Sequence, residues 1–242
     1  MARRLKILGV VLAALGLVAL AGAGVAYVKV QAGYGSLQAF SEVQNVTLSY
    51  DDAGQLVDRG TVEGSQAIMS LLTEDWKYPV VQSDFDPNDP LVNTASEYMY
   101  QMATVTYHTL HGTVQVTLPE DVEYNGETFA AGTYDVATEG RYWTGFDRTH
   151  PLYGPARALV WTGTAHGLIA ELGVGTVTAT MLQMGLAVAA GFGALGLLGL
   201  ILGLGLIWVS RSTALDEIKA ADTVAGLVEE KKVEEKNLVT TA

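Results

Sequence analysis

Hydrophobic residues in this chain concentrate in two uninterrupted blocks, Ile7–Val28 and Met184–Val209. Each exceeds the run of about 18 apolar residues that, at about 1.5 Å per residue, crosses about 30 Å of hydrocarbon. Neither block carries a charge. A core helix of that length in a soluble protein shows a polar stripe, because one of its faces meets water. The pattern therefore predicts two transmembrane α-helices. Arg3, Arg4 and Lys6, followed by an apolar run with Ala21-Gly22-Ala23, also have the form of a secretory signal peptide. The run continues to Val28, beyond a signal core, which favours an uncleaved anchor.

Between the blocks the period changes repeatedly. Val46, Leu48 and Tyr50 alternate with Thr47 and Ser49, which predicts a strand within Val43–Tyr50, and Asp51-Asp52-Ala53-Gly54 reads as a turn. Gly64–Thr73 fits a short helix with Ala67, Ile68, Leu71 and Leu72 on one side, and Asp75–Pro90 a loop. Asp89 and Pro90 suit the N-cap and first position of a second helix. Leu91, Ala95, Tyr98, Met99, Met102 and Val105 recur at its spacing, and Gly112 is placed to end it in a left-handed conformation. Val114, Val116 and Leu118 then alternate with polar residues, and Asn125-Gly126 suits a tight hairpin turn. With Thr133–Ala137 these residues predict a small antiparallel β meander over 113–143. Pro155–Glu171 reads as helix; a run through Thr176–Thr180 into the second span is one alternative, while Gly173, Gly175 and the β-branched residues favour a break. After Arg211, Thr213 and Asp216 form a capping pair before a weak apolar stripe of Leu215, Ile218, Ala221, Ala225 and Val228, and Glu229–Lys236 is a solvated charge run.

The fold class is thus a membrane protein with two transmembrane α-helices and an extracytoplasmic α+β domain containing the meander. Arg3, Arg4 and Lys6 before the first span, and Arg211 after the second, place both termini in the cytoplasm, with Trp208 as an interfacial aromatic. The expected divisions are a cytoplasmic start at 1–6, helices at 7–28 and 183–209, an outer domain at 29–182, and a charged cytoplasmic tail at 210–242. The middle region, residues 30–182, holds 19 Asp and Glu against 5 Lys and Arg, a net of −14. Such a surface repels nucleic acid and leaves cations or a basic partner as candidates. The chain has no cysteine, which removes disulfides and thiolate chemistry.

Candidate sites fall into two groups. Gly199 and Gly203 form a GxxxG pair, surrounded by Gly185, Ala187, Gly191, Gly193, Gly196 and Gly205. The first span carries Gly9/Ala13 and Ala19/Ala23. Small residues let helix backbones approach closely in a bilayer. The spans hold no Asp, Glu, Lys, Arg or His, which argues against an ion pathway formed by this chain alone. The second group is metal-like. His108 and His111 stand at i and i+3, with His150 or His166 as a distant third ligand. Asp84, Asp86 and Asn88 suggest an oxygen-rich cation loop, although Asp89 and Ala95 occupy the positions where an EF-hand needs Gly and Glu. Turn and cap roles account for the same residues. Tyr142, Trp143, Tyr153 and Trp161 are candidates for a binding face or for core. Asn45-Val46-Thr47 matches the glycosylation sequon, a chance match in a bacterial-type chain.

Asp51-Asp52, Gly64–Leu72 and Asp89-Pro90 leading into Asn93-Thr94-Ala95-Ser96, together with the basic start and glycine-rich second span, resemble a set of uncharacterised actinobacterial two-span membrane proteins often labelled aromatic ring-opening dioxygenases. The resemblance implies the two-span layout and no functional residues. Its enzymatic label is not carried over, since no residue pattern here supplies the iron ligands. No nucleophile elbow, phosphate loop or Ser/His/Asp spacing is present either. The reading is a non-enzymatic accessory subunit of a larger plasma-membrane complex, with a membrane oxidase or monooxygenase as a candidate, partnered by other integral membrane subunits and without a cofactor. The alternatives are an extracytoplasmic ligand- or cation-binding sensor and, behind it, a metal-dependent activity at His108 and His111.

Overall fold

The structure is a computed structural model. It describes residues 2–240, apart from the side chains of residues 216, 217 and 226–240. Helix dominates, at 67% of the chain. Two helices, α1 (Ala2–Gln44) and α5 (Gly163–Thr240), are long and apolar enough to cross a membrane. Only 11% of the most apolar stretch of each is buried within the chain. The chain divides into two compact units: residues 1–31 with 184–242, and residues 32–183.

In the first unit α1 and α5 pack antiparallel along small residues. Buried positions recur every seven residues, at Gly9, Gly16 and Ala23 on α1 and at Ala189, Gly196, Gly203 and Ser210 on α5. A seven-residue step is about 3.5 residues per turn, the period that keeps two helices in contact by a left-handed supercoil. Past Arg211 the helix simply continues. The hydroxyl of Thr213 donates to the Val209 carbonyl 3.0 Å away, so it does not start a new helix as expected. Asp216, Val228 and the Glu229–Lys236 run have side chains outside the described residues.

The second unit begins with the last turns of α1, which end where Asn45 takes a left-handed conformation (φ 52°). The strand expected over Val43–Tyr50 therefore shrinks to β1 (Ser49–Tyr50), paired with β2 (Leu56–Val57) across the expected Asp51–Gly54 turn. One carboxylate oxygen of Asp51 holds that turn, accepting from the backbone N–H groups of Ala53 and Gln55. Helix α2 (Val62–Ser70) is capped by Thr61, whose hydroxyl accepts from Gly64 N at 3.1 Å, and runs into a π-helical turn at Leu71–Asp75. Its Ile68, with Leu72 of the turn, is fully buried.

Helix α3 (Ala95–Leu110) starts five residues later than the Asp89-Pro90 reading placed it. Pro90 to Val92 are extended instead, because Pro90 O accepts from Leu48 N and Val92 N donates to Val46 O. The real cap is a capping box. Thr94 Oγ1 accepts from Glu97 N, and the Glu97 carboxylate accepts from Thr94 N at 2.9 Å. Gly112 does not take a left-handed conformation; His111 ends the helix.

The expected meander is a long two-stage hairpin. β3 (Thr113–Leu118) pairs with β6 (Gly132–Ala137), and β4 (Val122–Tyr124) pairs with β5 (Glu127–Phe129) beyond it. The Asn125-Gly126 turn is as expected, with φ of 52° and 84°. A two-residue turn folds β5 straight back on β4, and β6 must then return along β3, so the order cannot be sequential. Fully buried Thr138 ties the arm to α3, its hydroxyl donating to Leu110 O at 2.6 Å.

Helix α4 (Tyr153–Val160) ends at Trp161, and Thr162 Oγ1 then accepts from Ala165 N as α5 begins. The break thus falls at Trp161-Thr162. At Gly173 and Gly175 the helix runs on unbroken. A methyl group on Gly175 would sit 2.5 Å from the Tyr98 ring, so this glycine serves close packing within a helix.

Candidate functional site

The metal candidates are not brought together. Near the end of α3, His108 Nε2 lies 3.0 Å from Asp58 Oδ1, whereas His111 Nδ1 faces Tyr107 O at 2.9 Å and its ring lies 4.2 Å from that of Tyr107. One turn apart on a helix, the two rings leave for different partners. His150 stands among Tyr124, Phe129 and Tyr153, and His166 beside Trp143 and Trp161. Asp86 accepts from both the backbone N–H and the side-chain amide of Asn88, which is a self-contained Asx turn. Asp84 ends a short 3₁₀ turn, with one carboxylate oxygen buried and unpartnered. Among the described residues no group of three or more His, Asp or Glu is placed to hold a metal ion.

Burial raises four titratable groups above their ordinary values. The Tyr50 hydroxyl is pushed up to about 12 by desolvation, with Glu97, Asp86 and Asp89 adding to it. Desolvation likewise raises Tyr78 and Tyr100. Glu97, 1% exposed, is also raised by desolvation, against the lowering effect of hydrogen bonds from Asn93 and Thr94. Phenols held protonated are poor nucleophiles, and the Glu97 carboxylate is engaged in the cap of α3.

The helix-packing candidates divide by face. A methyl group on Gly9 would sit 2.6 Å from Gly203 O; one on Gly203 would sit 2.5 Å from Ala13 N; one on Gly196 would sit 2.9 Å from Gly16 O. Gly199 meets Gly16 and Leu12 similarly. The GxxxG pair is therefore used between α1 and α5 of the same chain. Gly191 and Gly205 have nothing within 4 Å, and Ala187 is exposed. Gly16 and Ala189 belong to the seam without having been singled out by sequence. The signal was the seven-residue recurrence Gly9, Gly16, Ala23, which a search for four-residue pairs passes over.

The second unit also forms an open groove of about 440 Å³, lined chiefly by Trp76, Met99, Met102, Tyr142, Trp161 and Ile169. The aromatic candidates Tyr142 and Trp161 stack in its wall, centroids 5.9 Å apart. Their polar edges are already satisfied. Trp76 Nε1 donates to Tyr142 Oη at 3.0 Å, and Trp161 Nε1 donates to Arg141 O at 3.2 Å. Trp143 and Tyr153 lie outside the groove, covered by the guanidinium groups of Arg157 at 3.4 Å and Arg141 at 4.4 Å. Thr106 and His166 also line it, and the rest of its surface is aromatic, thioether and aliphatic, suited to apolar contact.

Comparison of the chain with protein-family models, with curated proteins and with solved structures yields no match.

Proposed function

We propose that this chain is a non-catalytic subunit of a larger bacterial plasma-membrane assembly. In this reading α1 and α5 span the bilayer, both termini are cytoplasmic, and residues 29–182 lie outside. A membrane oxidase or monooxygenase is one candidate assembly, and kinship with the two-span actinobacterial set belongs to the same proposal.

One observation carries it. α5 has small residues on two opposite sides. Ala189, Gly196 and Gly203 are buried against α1, while Ala187, Gly191, Ala194 and Gly205 are exposed. Ala187 is two residues, or about 200° of helix rotation, from Ala189. In hydrocarbon a helix gains association energy where small residues let a neighbour approach, so an exposed small face fits a further helix. The test is purification of the full chain from its native membranes in mild detergent. Co-purifying integral membrane proteins, lost on Gly191→Leu but retained on the lipid-facing Leu197→Phe, are expected. A clean monomer overturns the reading.

The aromatic groove favours a second reading, a two-span anchored binding or sensing protein for an apolar ligand, with a divalent cation as the less supported alternative. A thermal-shift screen of the full chain against aromatic and aliphatic ligands and divalent cations separates the two. A shift abolished by Trp76→Ala or Met102→Ala supports this second reading, and no shift with any compound removes it.

A further inference from the structure

The uncharged part of α5 is longer than a membrane needs. From Leu172 to Ser210 no residue is ionisable. These 39 residues rise about 58 Å, about twice the hydrocarbon thickness. The excess lies in the segment that belongs to the outer unit, where Val174, Val177 and Met181 are 65%, 60% and 63% exposed. Exposed apolar surface on that scale must be covered by something apolar.

Of these residues Val174 lies in one wall of a second open groove, of about 550 Å³, while Val177 and Met181 lie outside its lining. Its walls are Leu37 and Phe40 of α1 and Val174, Thr178 and Leu182 of α5. At one end, Leu182 directly precedes the span assigned to residues 183–209. At the other stands Glu171, whose Oε1 accepts from Gln44 Nε2 at 3.0 Å. The groove therefore has an apolar body within the size range of ligand pockets and a single carboxylate at its far end.

We propose that this groove holds an acyl chain of a bilayer phospholipid whose headgroup carries an ammonium, with that ammonium at Glu171. Lipid is favoured over a protein segment because α5 carries no charge on any face from the groove into the span, so a chain reaches the groove without leaving an apolar surface. The headgroup follows from charge. Residues 30–182 carry a net of −14, which disfavours an anionic lipid and pairs with a cationic amine. This site rests on the spanning reading of α1 and α5.

The full chain is reconstituted into phosphatidylcholine nanodiscs doped with a phosphatidylethanolamine carrying a diazirine on its acyl chain, irradiated, and mapped by peptide mass spectrometry. Labelling of peptides within 33–40 and 171–182 is expected, beyond that of the spans. Ser36→Trp and Thr178→Trp, both at exposed positions, should reduce the groove labelling several-fold while circular dichroism and span labelling stay unchanged. Diazirine-bearing phosphatidylglycerol or free fatty acid should label the groove less, and Glu171→Gln should narrow the ethanolamine preference by about threefold, the effect of an exposed ion pair. Labelling confined to residues 7–28 and 183–209 overturns the groove while leaving the spans intact. Absence of labelling at the spans overturns the spanning reading itself. Equal groove labelling by all three probes overturns the headgroup contact.

Discussion

Gly193 on α5 faces Ala23 on α1 so closely that a methyl group on the glycine would sit 3.9 Å from the alanine Cβ. That separation lies within the about 3.5–4.5 Å between Cβ atoms that a disulfide requires. The chain contains no cysteine to confuse the result. Ala23→Cys combined with Gly193→Cys should form an intrachain disulfide on mild oxidation, measured as loss of reactivity toward a maleimide mass tag. Adding Gly203→Leu should lower the yield several-fold, because its side chain would press on Ala13 N and Gly9 O. An undiminished yield would show that the glycine seam does not hold the pair together.

The capping box of α3 sets a second expectation. Thr94→Ala leaves the first turn without its side-chain acceptor and should cost about 1 kcal/mol. Glu97→Ala additionally strips the backbone N–H groups of Asn93 and Thr94 of their buried partner, and should cost about 2 kcal/mol or more. Thermal unfolding of the full chain in detergent, followed by near-ultraviolet circular dichroism of the aromatics of residues 32–183, reads both. Asp89→Ala should leave the helix start unaffected, because Asp89 is not its cap.

Two carboxylates give opposite pH dependences. Glu97 has its folded pKa raised above 4.5, so its contribution is fully present below that value and is lost as pH rises through the folded pKa. Asp147 accepts from the Tyr124 hydroxyl at 2.5 Å and from Thr149, which lowers its pKa to about 2 from 3.8. Its contribution is present above 3.8 and is lost as pH falls through about 2. Melting midpoints measured from pH 2 to 7 should therefore lose their acid-limb dependence with Asp147→Asn, and flatten above pH 4.5 with Glu97→Gln. Unchanged profiles would refute both assignments.

His150 acts as an acceptor at the start of α4. Its Nδ1 lies 3.1 Å from Leu152 N and 3.3 Å from Tyr153 N, and only a neutral ring accepts there. His150→Ala should cost about 1 kcal/mol, the usual effect of losing a cap, and His150→Asn should recover part of it. Hydrogen exchange at residues 152–156 is the direct measurement; equal protection in all three proteins would dismiss the role.

Much of the local structure was legible. Asn125-Gly126 forms the expected tight turn, Asp51–Gly54 the expected turn between strands, and Ile68, Leu71 and Leu72 are buried together as their spacing required. These features depend on a few adjacent residues. What could not be read was set by distant ones. The start of α3 moved because Val46 and Leu48 claim the backbone of Pro90–Val92. The expected break in α5 vanished because Gly175 makes room for Tyr98. Trp76 entered the aromatic groove only because its indole reaches Tyr142, 66 positions away.

The sequence by itself determined that two helices would be long, uncharged and apolar, since helix length and hydropathy are sums over neighbouring residues. It also determined the acidic character of the segment between them and its freedom from cysteine chemistry. Only the tertiary structure decided which glycines meet. Gly9, Gly16, Gly196 and Gly203 are consumed within the chain, while Gly191 and Gly205 stay open, although all lie in the same kind of apolar helix. The physical reason is that a glycine's contribution comes from the backbone placed against it, and that backbone is supplied by a helix more than 150 residues away in sequence.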